Sequence, residues 1–152
     1  MKRKCISLIS FMATLILTFC VLVGCAPRGE VTGKIVETTD TLVVMQVEQT
    51  NGAATLFDLM AALQEEGELS YTLSGTMIQS INGKENPADY SSCWMLYTSD
   101  TVMGNTEWGT YEYQGVAYPS AIVGGDTLRV IEGAYYIWEY KSFQQIKQAG
   151  TR

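Results

Sequence analysis

The sequence predicts an α+β domain in which one helix packs on a small mixed sheet. Two observations carry this. Only the segment from Thr55 to Gly67 repeats apolar residues at helical spacing, and the segments flanking it alternate or are rich in β-branched and aromatic residues. The turn pairs Asn51-Gly52, Asn82-Gly83 and Gly124-Gly125-Asp126 cut the remainder into short, strand-sized pieces.

Ala26 to about Thr39 carries Pro27, Gly29 and Gly33 among charges, without an apolar period, and reads as a tether over 25–40 with a first strand near its end. Thr41 to Glu48 is β-branched and places Val43, Met45 and Val47 on one face. The helix begins at Thr55, an N-cap residue whose partner three positions on is Asp58, the spacing of a capping box. Leu56, Leu59, Met60 and Leu63 form its buried stripe, and Gly67 stops it. Beyond it, Leu69 to Leu73 alternates, and Met77, Ile78 and Ile81 lead into Asn82-Gly83. A polar loop over 85–92 precedes a central strand, Trp94 to Tyr97. Thr98 to Thr110 reads as a long polar connection and Tyr111 to Tyr118 as a short edge strand. Leu128 to Ile131 and the aromatic run Tyr135 to Tyr140 complete the strands, so the folded domain spans 41–140 and a polar tail spans 141–152.

The N-terminus has a different character. Lys2-Arg3-Lys4 precedes an uncharged apolar run that closes on Leu22-Val23-Gly24-Cys25. This resembles a bacterial lipoprotein signal over residues 1–24, with the small residue Gly24 immediately before an acceptor cysteine. The resemblance implies that Cys25 is lipidated and becomes the mature N-terminus, which anchors the protein to the extracytoplasmic face of the cell membrane. The alternative is an uncleaved span over Ile6 to Val23, but Ser7, Ser10, Thr14 and Thr18 interrupt it.

Composition excludes several functions. The net charge of −6 includes three positives from the signal segment, so the mature surface is more acidic still and disfavours nucleic acid. With Cys5 and Cys20 removed and Cys25 alkylated, Cys93 has no partner for an intrachain disulfide, and beside Trp94-Met95-Leu96 it reads as a small buried apolar residue. There is no His, which removes the commonest general base and metal ligand. Glu65/Glu66/Glu68 and Glu107/Glu112 are solvated charges rather than a catalytic pair, and no calcium loop, P-loop or dinucleotide fingerprint occurs. The sequence therefore reads as non-enzymatic, with no metal and no required cofactor.

Four segments carry a further resemblance: Thr55-Leu56-Phe57-Asp58-Leu59-Met60, Ile78-Gln79-Ser80-Ile81-Asn82-Gly83, Trp94-Met95-Leu96-Tyr97 and Gly125-Asp126-Thr127-Leu128. In this order they resemble the transcobalamin-like C-terminal domain, also met as a domain of unknown function in many bacterial surface lipoproteins. The resemblance covers roughly Thr41 to Tyr140 and implies a β-grasp-like fold and a corrinoid (cobalamin-like) ligand. The chain departs from that family in lacking the helical barrel of the animal cobalamin carriers, and in the segment Ser99 to Asn105 after the Trp strand.

Aromatic residues concentrate around the long connection and in the closing strand. Trp94, Tyr97, Trp108 and Tyr111 are the candidate ligand-binding residues, since aromatic faces suit flat partners. In the closing strand Tyr136, Trp138 and Tyr140 share one face and Tyr135 and Ile137 the other, and either face could be the exposed one. The sequence thus points to a membrane-anchored surface lipoprotein that binds a small molecule. The alternative is a structural or adhesive module that contacts envelope proteins or glycans. An aromatic pocket around Trp94, Trp108 and Tyr111 separates the two.

Overall fold

The computed structural model describes residues 29–143. Residues 1–28, which hold the expected signal segment and Cys25, and residues 144–152 lie outside the described residues, while Lys141 and Ser142 of the expected tail belong to the last strand. Among the described residues the fold is mostly β, with nine strands and one short helix, in a six-stranded antiparallel sheet and a small three-stranded one. In chain order the elements are β1 (Val31–Thr39), β2 (Leu42–Thr50), α1 (Leu56–Glu65), β3 (Tyr71–Ser74), β4 (Met77–Ile81), β5 (Lys84–Glu85), β6 (Ser92–Thr98), β7 (Gly104–Tyr113), β8 (Val116–Ala121) and β9 (Tyr135–Ser142).

The large sheet has the order β1-β2-β9-β6-β8-β7. The closing strand β9 enters between β2 and β6 and runs antiparallel to both. β2 and β6 thus share a direction without touching, and every strand pair among the described residues is antiparallel. This corrects the expected mixed sheet. β3, β4 and β5 form the second sheet, where Asn82 (φ 47°) and Gly83 (φ 79°) make the turn from β4 to β5. Consecutive positive φ values define a type I′ turn, which asparagine and glycine tolerate.

Four further expectations change. The span expected to be tether is largely β1, paired along its length with β2. Val31 and Ile35 are only half-buried, Val36 is exposed and two register shifts interrupt the strand, so it carries no clear apolar period. The connection expected over Thr98 to Thr110 shrinks to Ser99–Met103, because β7 begins at Gly104. The expected edge strand Tyr111 to Tyr118 is two strands of a hairpin, turned by Gln114 (φ 51°) and Gly115 (φ 78°). Leu128 to Ile131 forms no strand and contributes a single bridge, Thr55 to Arg129, although Leu128 and Val130 are buried.

The helix forms as its residues dictate. The Thr55 hydroxyl accepts from the Asp58 N–H (3.3 Å), while the Asp58 carboxylate accepts from the Thr55 N–H (2.8 Å). Leu56, Leu59, Met60 and Leu63 are buried and share one core with Val43, Met45, Val47, Ile81, Trp94, Leu96, Leu128, Tyr136 and Trp138. A second core occupies the opposite face of the sheet: Leu42, Val44, Tyr97, Tyr113, Tyr118 and Ile137. β6 and β8 meet at one register pair, Tyr97 and Ser120, so the β7–β8 hairpin is free to cover that face. Both faces of β2 and β9 are therefore buried. Neither face of the closing strand is an open aromatic platform.

Candidate functional site

The four aromatic residues singled out from sequence do not converge. On β6, side chains alternate across the sheet, so Trp94 and Leu96 enter the helix-side core and Tyr97 enters the other. Tyr111 packs on Tyr97, with ring centroids 5.7 Å apart. Trp108 joins neither core. It stands 59% exposed within the irregular stretch of β7 between Asn105 and Thr110, and its carbonyl accepts from the Ser120 hydroxyl.

The Tyr97 side of the sheet is a packed tyrosine cluster. Tyr113, Tyr118 and Tyr135 have mutual centroid distances of 6.1 to 6.4 Å. The Lys141 ammonium donates to the Tyr97 hydroxyl (3.0 Å), lies over its ring and pairs with Glu139 at 2.9 Å. Burial pushes the Tyr97 hydroxyl pKa up against the opposing pull of Lys141. Burial by itself would lower the Lys141 pKa, but the Tyr97 hydroxyl and Glu139 outweigh it and hold the ammonium above its usual value. With Tyr97 2% exposed and Tyr113 and Tyr118 both under 10%, this is core, with no opening for a ligand.

Trp94 does border a pocket. A recess of about 330 Å³ on the helix side of the sheet is lined by Phe57, Met77, Ile78, Tyr90, Trp94 and Trp138, with Thr76, Asn86, Cys93, Phe143 and the Gly124-Gly125 backbone completing it. Each wall has a local cause. Asn86 is buried and fixes two elements at once: its Nδ2 donates to the Ile78 carbonyl (2.8 Å) and its Oδ1 accepts from the Trp94 N–H (3.1 Å). The Trp94 indole is held by donation from Nε1 to the Lys84 carbonyl (2.9 Å) and by an edge contact with Tyr140 at 5.4 Å. Gly125 accepts from the Phe57 N–H (3.0 Å), and a Cβ there would meet the Phe57 ring at 2.4 Å. Glycine is what lets ring and backbone lie against each other at this point.

No charged side chain lines this pocket. The Cys93 thiol faces away from Trp94 along β6, donates to the Met95 sulfur (3.6 Å) and has its pKa raised by burial, so it is not poised as a nucleophile. Two recesses at the β1 end are more open: one of about 540 Å³ is lined by polar residues including Glu30, Thr32, Gln49 and Asn51, and one of about 200 Å³ is bordered by Glu30, Asp58 and Glu65. Among the described residues no group of three or more acidic or cysteine side chains is placed to hold a metal ion.

Of the four aromatic residues expected from sequence, Trp94 alone lines this recess, and its other lining residues carry no local signal. Trp138 was visible only as one of two alternating faces of the closing strand. Phe57 and Met77 fall off the helical stripe and at a strand start, where nothing in local spacing marks a pocket wall. Gly124-Gly125 has the sequence signature of a turn, and its close approach to Phe57 is a tertiary property. No protein-family profile matches the chain, nor does any curated protein or any solved structure.

Proposed function

We propose that the protein is a non-catalytic surface lipoprotein, anchored through lipid on Cys25, whose single domain binds a small molecule between Trp94 and Trp138. The observation that carries this reading is the 330 Å³ apolar recess, in which Asn86 and Trp94 are held in place by hydrogen bonds. Its size lies at the lower end of the ~300–1,000 Å³ range typical of small-molecule sites. The order of helix, Asn82-Gly83 turn, Trp94 strand and Gly125-Asp126 before the closing strand supports a β-grasp-like relationship to the transcobalamin-like domains. A corrinoid is on that ground the first ligand class to test. The recess admits one projecting group of such a ligand, and the macrocycle would have to rest outside it.

Calorimetric titration of the full chain in lipid nanodiscs with cobalamin tests the assignment, with Met77→Trp as the rim-filled control. Saturable heat in the parent protein that is lost in Met77→Trp supports a corrinoid held at this pocket. No saturable heat removes the corrinoid. A contact role is favoured by one observation, the exposed Trp108 on the sheet-edge strand β7. On the adhesive reading Trp108→Ala abolishes retention of envelope partners and Met77→Trp does not.

A further inference from the structure

We infer that the pocket beside Trp94 selects an uncharged, planar bicyclic group that carries a hydrogen-bond acceptor, and that the Trp138 indole N–H is the group that reads this acceptor. The inference rests on the small-molecule reading above and names the ligand's chemistry.

Four observations converge on it. The lining holds no Lys, Arg, Asp or Glu, so a charged ligand would lose its hydration without compensation. The volume of about 330 Å³ suits a compact ring system. Trp94, Trp138 and Phe57 put aromatic rings in the lining, and Gly124-Gly125 adds backbone without side chains, a lining that suits a planar group. Finally, Trp138 is only 6% exposed, and its Nε1 is buried without a hydrogen-bond partner.

That last feature is unusual by the standard of its neighbours. The Trp94 Nε1 donates to a carbonyl, and the Tyr136 hydroxyl donates to the Arg129 carbonyl and accepts from the Ile131 N–H. Buried polar atoms are satisfied in the great majority of cases, and an exception calls for a reason. An acceptor brought by a ligand supplies one. Trp138 lines the pocket and its Nε1 is shut off from solvent, so pairing with a ligand requires the lining to give. The lining includes Met77 and Phe143, which are 55% and 41% exposed and are the side chains a ligand would displace.

Naphthalene and quinoline test this directly, being nearly the same size and differing in one ring acceptor. The full chain in nanodiscs is titrated with each, with empty nanodiscs as the partition blank, and the tryptophan side-chain N–H resonances are followed. The expected result is that both bind, that quinoline alone moves the Trp138 N–H downfield, and that Trp138→Phe shifts the affinity ratio toward naphthalene by roughly five- to tenfold, the size of one neutral buried hydrogen bond. Trp94→Phe should leave the ratio unchanged, because that indole N–H is already engaged. Should Trp138→Phe fold poorly, the resonance shift in the parent protein decides alone. If both probes bind and quinoline leaves the Trp138 N–H in place, the acceptor inference is wrong while the pocket stands. If neither probe binds, the small-molecule reading falls and takes this inference with it.

Discussion

Leu59 shows how strongly single residues are committed in this chain. Its side chain is fully buried in the core shared by helix and sheet, and Gly33 of β1 sits directly beneath it. Leu59→Ala is expected to destabilise the domain by about 2–5 kcal/mol, by lost burial plus the cavity left behind. A chemical denaturation midpoint checks this, and an unchanged midpoint would mean that the helix is peripheral. Gly33→Ala attacks the same contact from the other side. The added Cβ would lie 2.7 Å from Leu59 Cδ1 and 2.5 Å from the Gln46 carbonyl oxygen, so strand or helix must move. The expected outcome is a drop in thermal midpoint clearly larger than for Gly67→Ala, where the cost is backbone conformation alone and a Cβ meets nothing within 4 Å. Such side-chain stripes were legible in the sequence because helical spacing is a local property.

Among the elements, α1 was read correctly down to its cap, because a capping box is encoded within four residues. Thr55→Ala should cost about 0.5–2 kcal/mol, measurable by the same denaturation. β1 and the β7–β8 hairpin were harder to read. β1 is an edge strand that buries little, and β7 carries an irregular stretch that breaks alternation around Trp108. The hairpin turn uses Gln114, a residue type that rarely adopts positive φ, so only Gly115 signalled it. What the hairpin covers has a consequence for pH. Burial, the first cause at each site, raises the pKa values of Tyr97, Tyr111, Tyr113 and Tyr118. Lys141 is raised too, by Tyr97 and Glu139 against its burial. The folded state therefore holds these protons more tightly than the unfolded chain. Stability is full below the ordinary tyrosine value of 10.0 and falls as the pH rises past it toward the elevated folded values. Thermal midpoints followed alongside tyrosinate absorbance should decline together above that pH, and Tyr97→Phe should flatten part of the decline. Midpoints that stay level while the tyrosines ionise would show that the cluster is not buried core.

For the whole molecule, composition and element order pointed to one helix on a sheet, and both are found. The strand order was out of reach, because β9 inserts between β2 and β6 and pairs with β2 from almost the other end of the domain. The candidate site was half legible for the same reason: Trp94 lies on a marked strand, but Trp138, Phe57 and Gly125 meet it only through tertiary packing. Anchoring is a separate claim at this scale. Cys25→Ser should leave the precursor unprocessed and free of incorporated fatty acid, and normal cleavage with membrane retention in that variant would overturn the lipoprotein reading. The claim on which the functional account turns is that the recess between Trp94 and Trp138 is a binding site and the exposed Trp108 is not. It is tested most directly by titrating the full chain in nanodiscs with a panel of small neutral aromatic compounds while the three mature tryptophan N–H signals are resolved. The account predicts saturable shifts at Trp94 and Trp138, abolished by Met77→Trp, with Trp108 unmoved. Shifts confined to Trp108, or no saturable shift at any tryptophan, would contradict it.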